Sequence, residues 1–144
     1  MSSIQEKGAE IVQAFNQFGD WMDRYNYLIE LGKSMPPMDA NYKTKQYLIS
    51  GCQSQVWLHA FLDDGLVTFT ADSDAAIPKG IAAILVHVFS GERPEDIAAA
   101  DLGFIDKLGL KDHLSPTRSN GLLAMIKQIK LYGVVFQAKQ NRGG

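Results

Sequence analysis

The chemistry open to this chain of 144 residues centres on a single thiol, Cys52, in the run Ser50-Gly51-Cys52-Gln53-Ser54-Gln55-Val56-Trp57. Tyr47, Leu48 and Ile49 before it are strand formers, as are Val56, Trp57, Leu58, Phe61 and Leu62 after it, so Gly51 and Cys52 fall where the chain reverses. Glycine takes the positive φ of a tight reversal without strain, which leaves the cysteine side chain at the tip of a predicted hairpin. Most free cysteines are small buried hydrophobes, and the loop position is what sets Cys52 apart from them.

Three histidines are available to activate a thiol, and none lies in a local Cys-His motif. His87 falls on an apolar helix and reads as a core or interface imidazole. His59 is a strand residue beside Trp57 and Phe61, and His113 belongs to the loop before Ser115. One cysteine with scattered histidines has no metal-ligand spacing, so no metal site is expected. The remaining chemistry is exchange with a sulfur atom of another protein, because the chain has no second cysteine to close a disulfide. Such a thiol must project, ionise when its partner is present, and be sheltered otherwise. Arg118, in the first turn of the last predicted helix, supplies a positive charge if the fold brings it close; otherwise it is an ordinary solvated arginine. Ile49, Val56 and Trp57 on the hairpin, with the helical face opposite, offer an apolar cover, so the resting thiol is expected to turn inward with its pKa raised by desolvation.

The elements that must position this loop read as helices around a small sheet. Ser3-Ile4-Gln5-Glu6 has capping-box spacing ahead of a helix carrying Ile4, Ile11, Phe15 and Phe18. Asp20 caps a second helix, with Trp21, Tyr25, Leu28 and Ile29 as its buried stripe, ending at Gly32. A loop over residues 33–41, with Pro36-Pro37, leads to strand 47–50; Asp63-Asp64-Gly65 then turns strand 55–62 into strand 66–71. Asp72-Ser73-Asp74 offers caps for an apolar helix running to Phe89. A short helix follows Pro94, a second short piece surrounds Phe104 to Leu108, and Ser115-Pro116 starts a long final helix whose tail, 140–144, should fray. The expectation is one α+β domain over residues 1–144: a three-stranded antiparallel sheet packed against helices, two of them N-terminal and a long one C-terminal. A net charge of −2 with well-mixed charges gives no footprint for nucleic acid. No run is long and apolar enough for a membrane span, and the polar first ten residues lack the apolar core of a signal peptide. With a lone reduced thiol, this points to the cytoplasm.

Several motifs in order resemble the SufE family of cysteine desulfuration proteins. Gly51 to Trp57 resembles its cysteine signature; Trp21, Tyr25, Ile29, Leu31 and Gly32 its second helix; Asp72-Ser73-Asp74-Ala75 with Lys79-Gly80 its central helix start. His113 to Leu122, with Ala124-Met125, resembles its final motif. Tyr47 stands where the family often has asparagine, and Arg93 where threonine is common. The resemblance implies an IscU-like fold and a sulfur acceptor. Cys52 would take persulfide sulfur from a SufS-type cysteine desulfurase, stimulate that enzyme, and pass the sulfur to an iron-sulfur scaffold complex downstream. It further implies that Gly51, Gln53, Asp74 and Arg118 support the cysteine or bind the partner. No cofactor would belong to this chain, the pyridoxal phosphate sitting in the desulfurase.

Three other readings stay open. An iron-sulfur scaffold would need several cysteine ligands. A cysteine hydrolase would need a base at Cys52. A structural adaptor would not need the thiol at all.

Overall fold

The computed structural model describes residues 3–52 and 54–143. Helix α1 (Ile4–Asn16) is capped by Ser3, whose hydroxyl accepts from the Glu6 N–H at 3.1 Å, and it buries Ile4, Gly8, Ile11 and Phe15. Asp20 caps α2 (Trp21–Ser34) by accepting from the Met22 N–H at 2.9 Å, and Asp23 and Lys33 suit the positive and negative ends of that helix. Strands β1 (Val56–Asp63) and β2 (Leu66–Ser73) pair antiparallel from Val56↔Ser73 to Asp63↔Leu66. Asp64 and Gly65 both take positive φ in the turn between them. The chain continues as α3 (Ala76–Phe89), three short helices α4 (Pro94–Ala98), α5 (Gly103–Leu108) and α6 (Leu110–His113), and the long α7 (Pro116–Gly143).

Alternation sets the layers. Val56, Leu58 and Ala60 of β1 and Val67, Phe69 and Ala71 of β2 point inward, where they meet Ala82 and Leu85 of α3 and Met125 and Ile129 of α7. Each large side chain enclosed in this way stabilises the fold by about 1.5–3 kcal/mol. Helix α2 crosses α3 at backbone distance. A Cβ on Gly80 would fall 2.3 Å from the Leu28 carbonyl oxygen, and one on Gly32 2.9 Å from the Gly80 nitrogen.

The sheet has two strands rather than the expected three. Residues 47–50 do approach β1, but through a single bridge, Leu48↔Trp57, with the Ile49 N–H donating to the Val56 carbonyl at 2.9 Å. The preceding residues are held elsewhere. Lys45–Tyr47 is a 3-10 turn; Tyr42 stacks on His59 with ring centres 3.7 Å apart, and Tyr47 meets His59 edge-on at 5.0 Å. The two tyrosines are thereby held over the outer face of β1, and Gly51 then reverses the chain before a ladder can form.

A smaller difference has a local cause. Asp72 and Ser73 complete β2 instead of capping α3, whose cap position is Ala75 with no side-chain bond. The last helix extends through Gly143, and Gln140 is tied back to the β turn by a bond to the Gly65 carbonyl at 3.4 Å.

Candidate functional site

Gly51 has φ +91°, the left-handed region that a side chain would strain, and it sits in the turn that presents Cys52. The loop is closed at its base from two sides. On one, Ile49 bonds Val56; on the other, Asp74 accepts the Gln55 N–H on its carboxylate at 3.0 Å while its own N–H donates to the Gln55 carbonyl at 3.2 Å. The Ser73 hydroxyl adds a third tie by donating to that same carbonyl at 2.7 Å. The end of β2 is itself braced. Asp72 pairs with Lys43 and with Lys79, the latter at 3.4 Å. Burial alone would raise the Asp72 carboxyl, but the hydrogen bonds from Lys43 and the Ser73 N–H and the charge of Lys79 hold it below its ordinary value.

Cys52 is half-buried against α7. Its thiol donates to the Gly121 carbonyl oxygen, with S···O 3.8 Å, and a Cβ on Gly121 would lie 3.5 Å from the sulfur. The surrounding cleft, about 60 Å³, is lined by Ser54 and Val56, by Pro78 and Ile81 of α3, and by Thr117, Arg118, Gly121 and Met125 of α7. Burial pushes the Cys52 thiol up. The thiol turns inward; of the three hairpin residues expected to cover it Val56 lines the cleft whereas Ile49 and Trp57 do not, and the expected helical face is supplied by Pro78 and Ile81 of α3 and by Thr117, Arg118, Gly121 and Met125 of α7.

Arg118 reaches this cleft because α7 starts where it does. Ser115 accepts the Arg118 N–H on its hydroxyl at 3.4 Å and Pro116 opens the helix. The start of α7 is in turn held to α2: the Tyr25 hydroxyl donates to the His113 carbonyl, and the Trp21 and His113 rings stack with centres 3.7 Å apart. Motifs far apart in sequence thus meet in one support.

Of the residues singled out from the sequence, Cys52 and Arg118 line one cleft, Gly51 turns the chain into it, and Asp74 ties the loop base. Gln53 lies outside the described residues. Sequence reasoning places Gly121, against which the thiol rests, and Met125, which also lines the cleft, in the last-helix motif but not among the site residues; the Ser-Pro helix start with a count of turns was the available signal. None of the three histidines lines the cleft. His59 packs among Tyr42, Tyr47 and Phe61, where burial lowers its pKa; His87 faces a groove beside Tyr27 and Met35; His113 lies on Trp21. Among the described residues no three of His, Cys, Asp and Glu gather as metal ligands, and no helix is long and apolar enough to cross a membrane.

Comparison with known proteins follows the same outline. The chain is 45% identical over 126 residues to an uncharacterized SufE-like protein of Rhizobium meliloti, an alignment covering 84% of this chain and 90% of that one. It is 41% identical over 126 residues to an uncharacterized SufE-like protein of Rhizobium etli, covering 84% and 85%. To SufE-like protein 1, chloroplastic/mitochondrial, of Arabidopsis thaliana it is 36% identical over 140 residues, covering 96% of this chain but 38% of the plant protein. The solution structure of a hypothetical protein from Thermus thermophilus shares the fold, with TM-score 0.76, 22% identity and coverage of 92% and 96%. The SufE family model, described as an Fe-S metabolism associated domain, matches residues 9–132, and the chain belongs to that family.

Proposed function

We propose that the protein is a sulfur acceptor and carrier that takes persulfide sulfur from a SufS-type cysteine desulfurase onto Cys52. In this reading the Cys52 thiolate attacks the outer sulfur of the desulfurase persulfide. A new S–S bond forms at Cys52, the bond to the desulfurase sulfur breaks, and the electron pair leaves on that sulfur, which takes up the proton given up by the Cys52 thiol. No oxidant or reductant is consumed. Removing the sulfur frees the desulfurase for another turnover, and the carrier then donates to an iron-sulfur assembly scaffold. The pyridoxal phosphate stays in the desulfurase, and a reduced lone thiol suits the cytoplasm.

The observation that carries this reading is the placement of the chain's one thiol with Arg118 in a cleft of about 60 Å³. That volume holds an added sulfur atom but falls far below the roughly 300–1,000 Å³ of a small-molecule site, which supports delivery of the sulfur by a partner protein. It also disfavours a hydrolase, as does the lack of a histidine in the cleft. Arg118 and the first turn of α7 would favour the thiolate once docking draws Cys52 outward.

The test is intact mass after incubation with a desulfurase and free cysteine. A gain of one or more sulfur atoms, removed by reductant and absent from Cys52→Ala, is expected. A folded Cys52→Ala that stimulates the desulfurase fully would overturn transfer through the thiol.

A further inference from the structure

The outward face of α7 carries an apolar stripe that the described residues leave about half-exposed. The inward face, with Leu122, Met125, Ile126 and Ile129, is in the core, whereas Leu123, Leu131, Val134 and Val135 are 48%, 51%, 51% and 41% exposed. At about 100° per residue these four, with Lys127 between the first two, fall on one side of the helix. Single exposed apolar residues are ordinary; four along one face form a stripe. The stripe runs into a groove of about 380 Å³ whose walls are Tyr47, Leu48 and Ile49 on one side and Ala124, Lys127 and Leu131 on the other.

Charge decides what fits there. The α7 sequence carries no Asp or Glu, and of its basic residues Arg118 lines the Cys52 cleft and Lys130 donates to the Ala100 carbonyl at 3.3 Å, whereas Lys127 lies in the stripe itself. Lys127 is exposed in the stripe and belongs to none of the ion pairs among the described residues. We propose that this stripe and groove dock an acidic amphipathic helix of a partner protein. Its apolar side chains would lie along Leu123, Leu131 and Val134, with carboxylates reaching Lys127. A second copy of this chain fits poorly, because it would set an acid-free helix against an identical one. A lipid surface fits poorly as well: α7 is locked into the core by its other face and cannot roll its narrow stripe into a headgroup layer.

The groove and the Cys52 cleft share no lining residue. The groove does include Ile49 and Ser50, so an occupant would touch the segment that carries the cysteine while leaving its cleft open. The proposal therefore stands apart from sulfur transfer and is tested without it. The probe is a peptide of about five helical turns with leucines on one face and glutamates on the other, titrated to millimolar concentration into nitrogen-15-labelled protein.

Amide shifts at Leu123, Lys127, Leu131 and Val134 are expected, fading with added salt. Binding should weaken about threefold in Lys127→Glu and be lost in Leu131→Asp, both exposed positions whose variants should keep the amide spectrum of the folded parent away from the stripe. The proposal is overturned if the peptide shifts none of these amides or if a lysine counterpart binds equally. It is likewise overturned if the stripe responds to protein concentration alone, or to phosphatidylglycerol vesicles in preference to the peptide.

Discussion

Asp74 and Gln55 hold each other twice, carboxylate to N–H at 3.0 Å and N–H to carbonyl at 3.2 Å, across the base of the loop that carries Cys52. The pair links the end of the sheet to the loop and should therefore limit how far Cys52 can swing. Asp74→Ala removes the side-chain half of the clasp at an exposed position and should cost about 0.5–1 kcal/mol of stability. The larger effect should be on access, with Cys52 alkylated several-fold faster. An unchanged alkylation rate would show that the backbone half suffices.

The thiol's pKa makes a second prediction. Burial raises it, so at neutral pH the thiolate is scarcer than for a free cysteine, whose pKa is about 8.5. The rate of iodoacetamide labelling against pH should be displaced to the alkaline side of free cysteine. By linkage, the stability owed to the protonated thiol is present below the unfolded pKa and is lost as pH rises through the folded one. Adding a desulfurase that lacks its own catalytic cysteine should move the profile back toward neutrality. A free-protein midpoint at or below that of free cysteine would contradict the sheltered thiol.

Arg118 is exposed and lines the Cys52 cleft, and among the described residues its one hydrogen bond is from the backbone N–H to Ser115. Arg118→Ala should therefore alter stability by no more than about 0.5 kcal/mol. Sulfur acceptance in single turnover should slow roughly tenfold, equivalent to about 1.4 kcal/mol of transition-state stabilisation. Arg118→Lys should recover part of the rate. Loss of melting temperature in step with activity would make the residue structural.

Gly80 permits the α2–α3 crossing, since an added methyl would meet the Leu28 carbonyl at 2.3 Å. Backbone gives way less readily than a side chain, so Gly80→Ala should destabilise by about 2–3 kcal/mol, read from urea unfolding. Gly121→Ala makes the contrast: its methyl would sit 3.5 Å from the Cys52 sulfur, an ordinary contact, and its stability should stay near that of the parent.

Caps, turns and helical stripes were legible in the residues: Ser3, Asp20, the Asp64-Gly65 reversal and Ser115-Pro116 all act where local chemistry places them. The third strand is where propensity misleads. Tyr47 and Leu48 are strand formers, but what decides their conformation is the stacking of Tyr42 and Tyr47 on His59, a contact between distant segments. For the same reason Asp72-Ser73-Asp74 resembles a helix cap: those side chains instead bond Lys43, Lys79 and Gln55, which no local pattern reveals. Cys52 stood out by being the single thiol, and Arg118 by the helix start. Their shared cleft depends on how α7 crosses the loop, and that is tertiary information.

The dimensions of that cleft bear on time as well as on affinity. A space of about 60 Å³ beside Cys52 admits one more sulfur atom but not a tripeptide-sized thiol such as glutathione. Under the proposed function, a stored sulfur would be insulated kinetically: its loss would wait on the loop opening rather than on the concentration of reductant. The rate of persulfide loss should then level off as reductant is raised, at a ceiling equal to the opening rate of the loop.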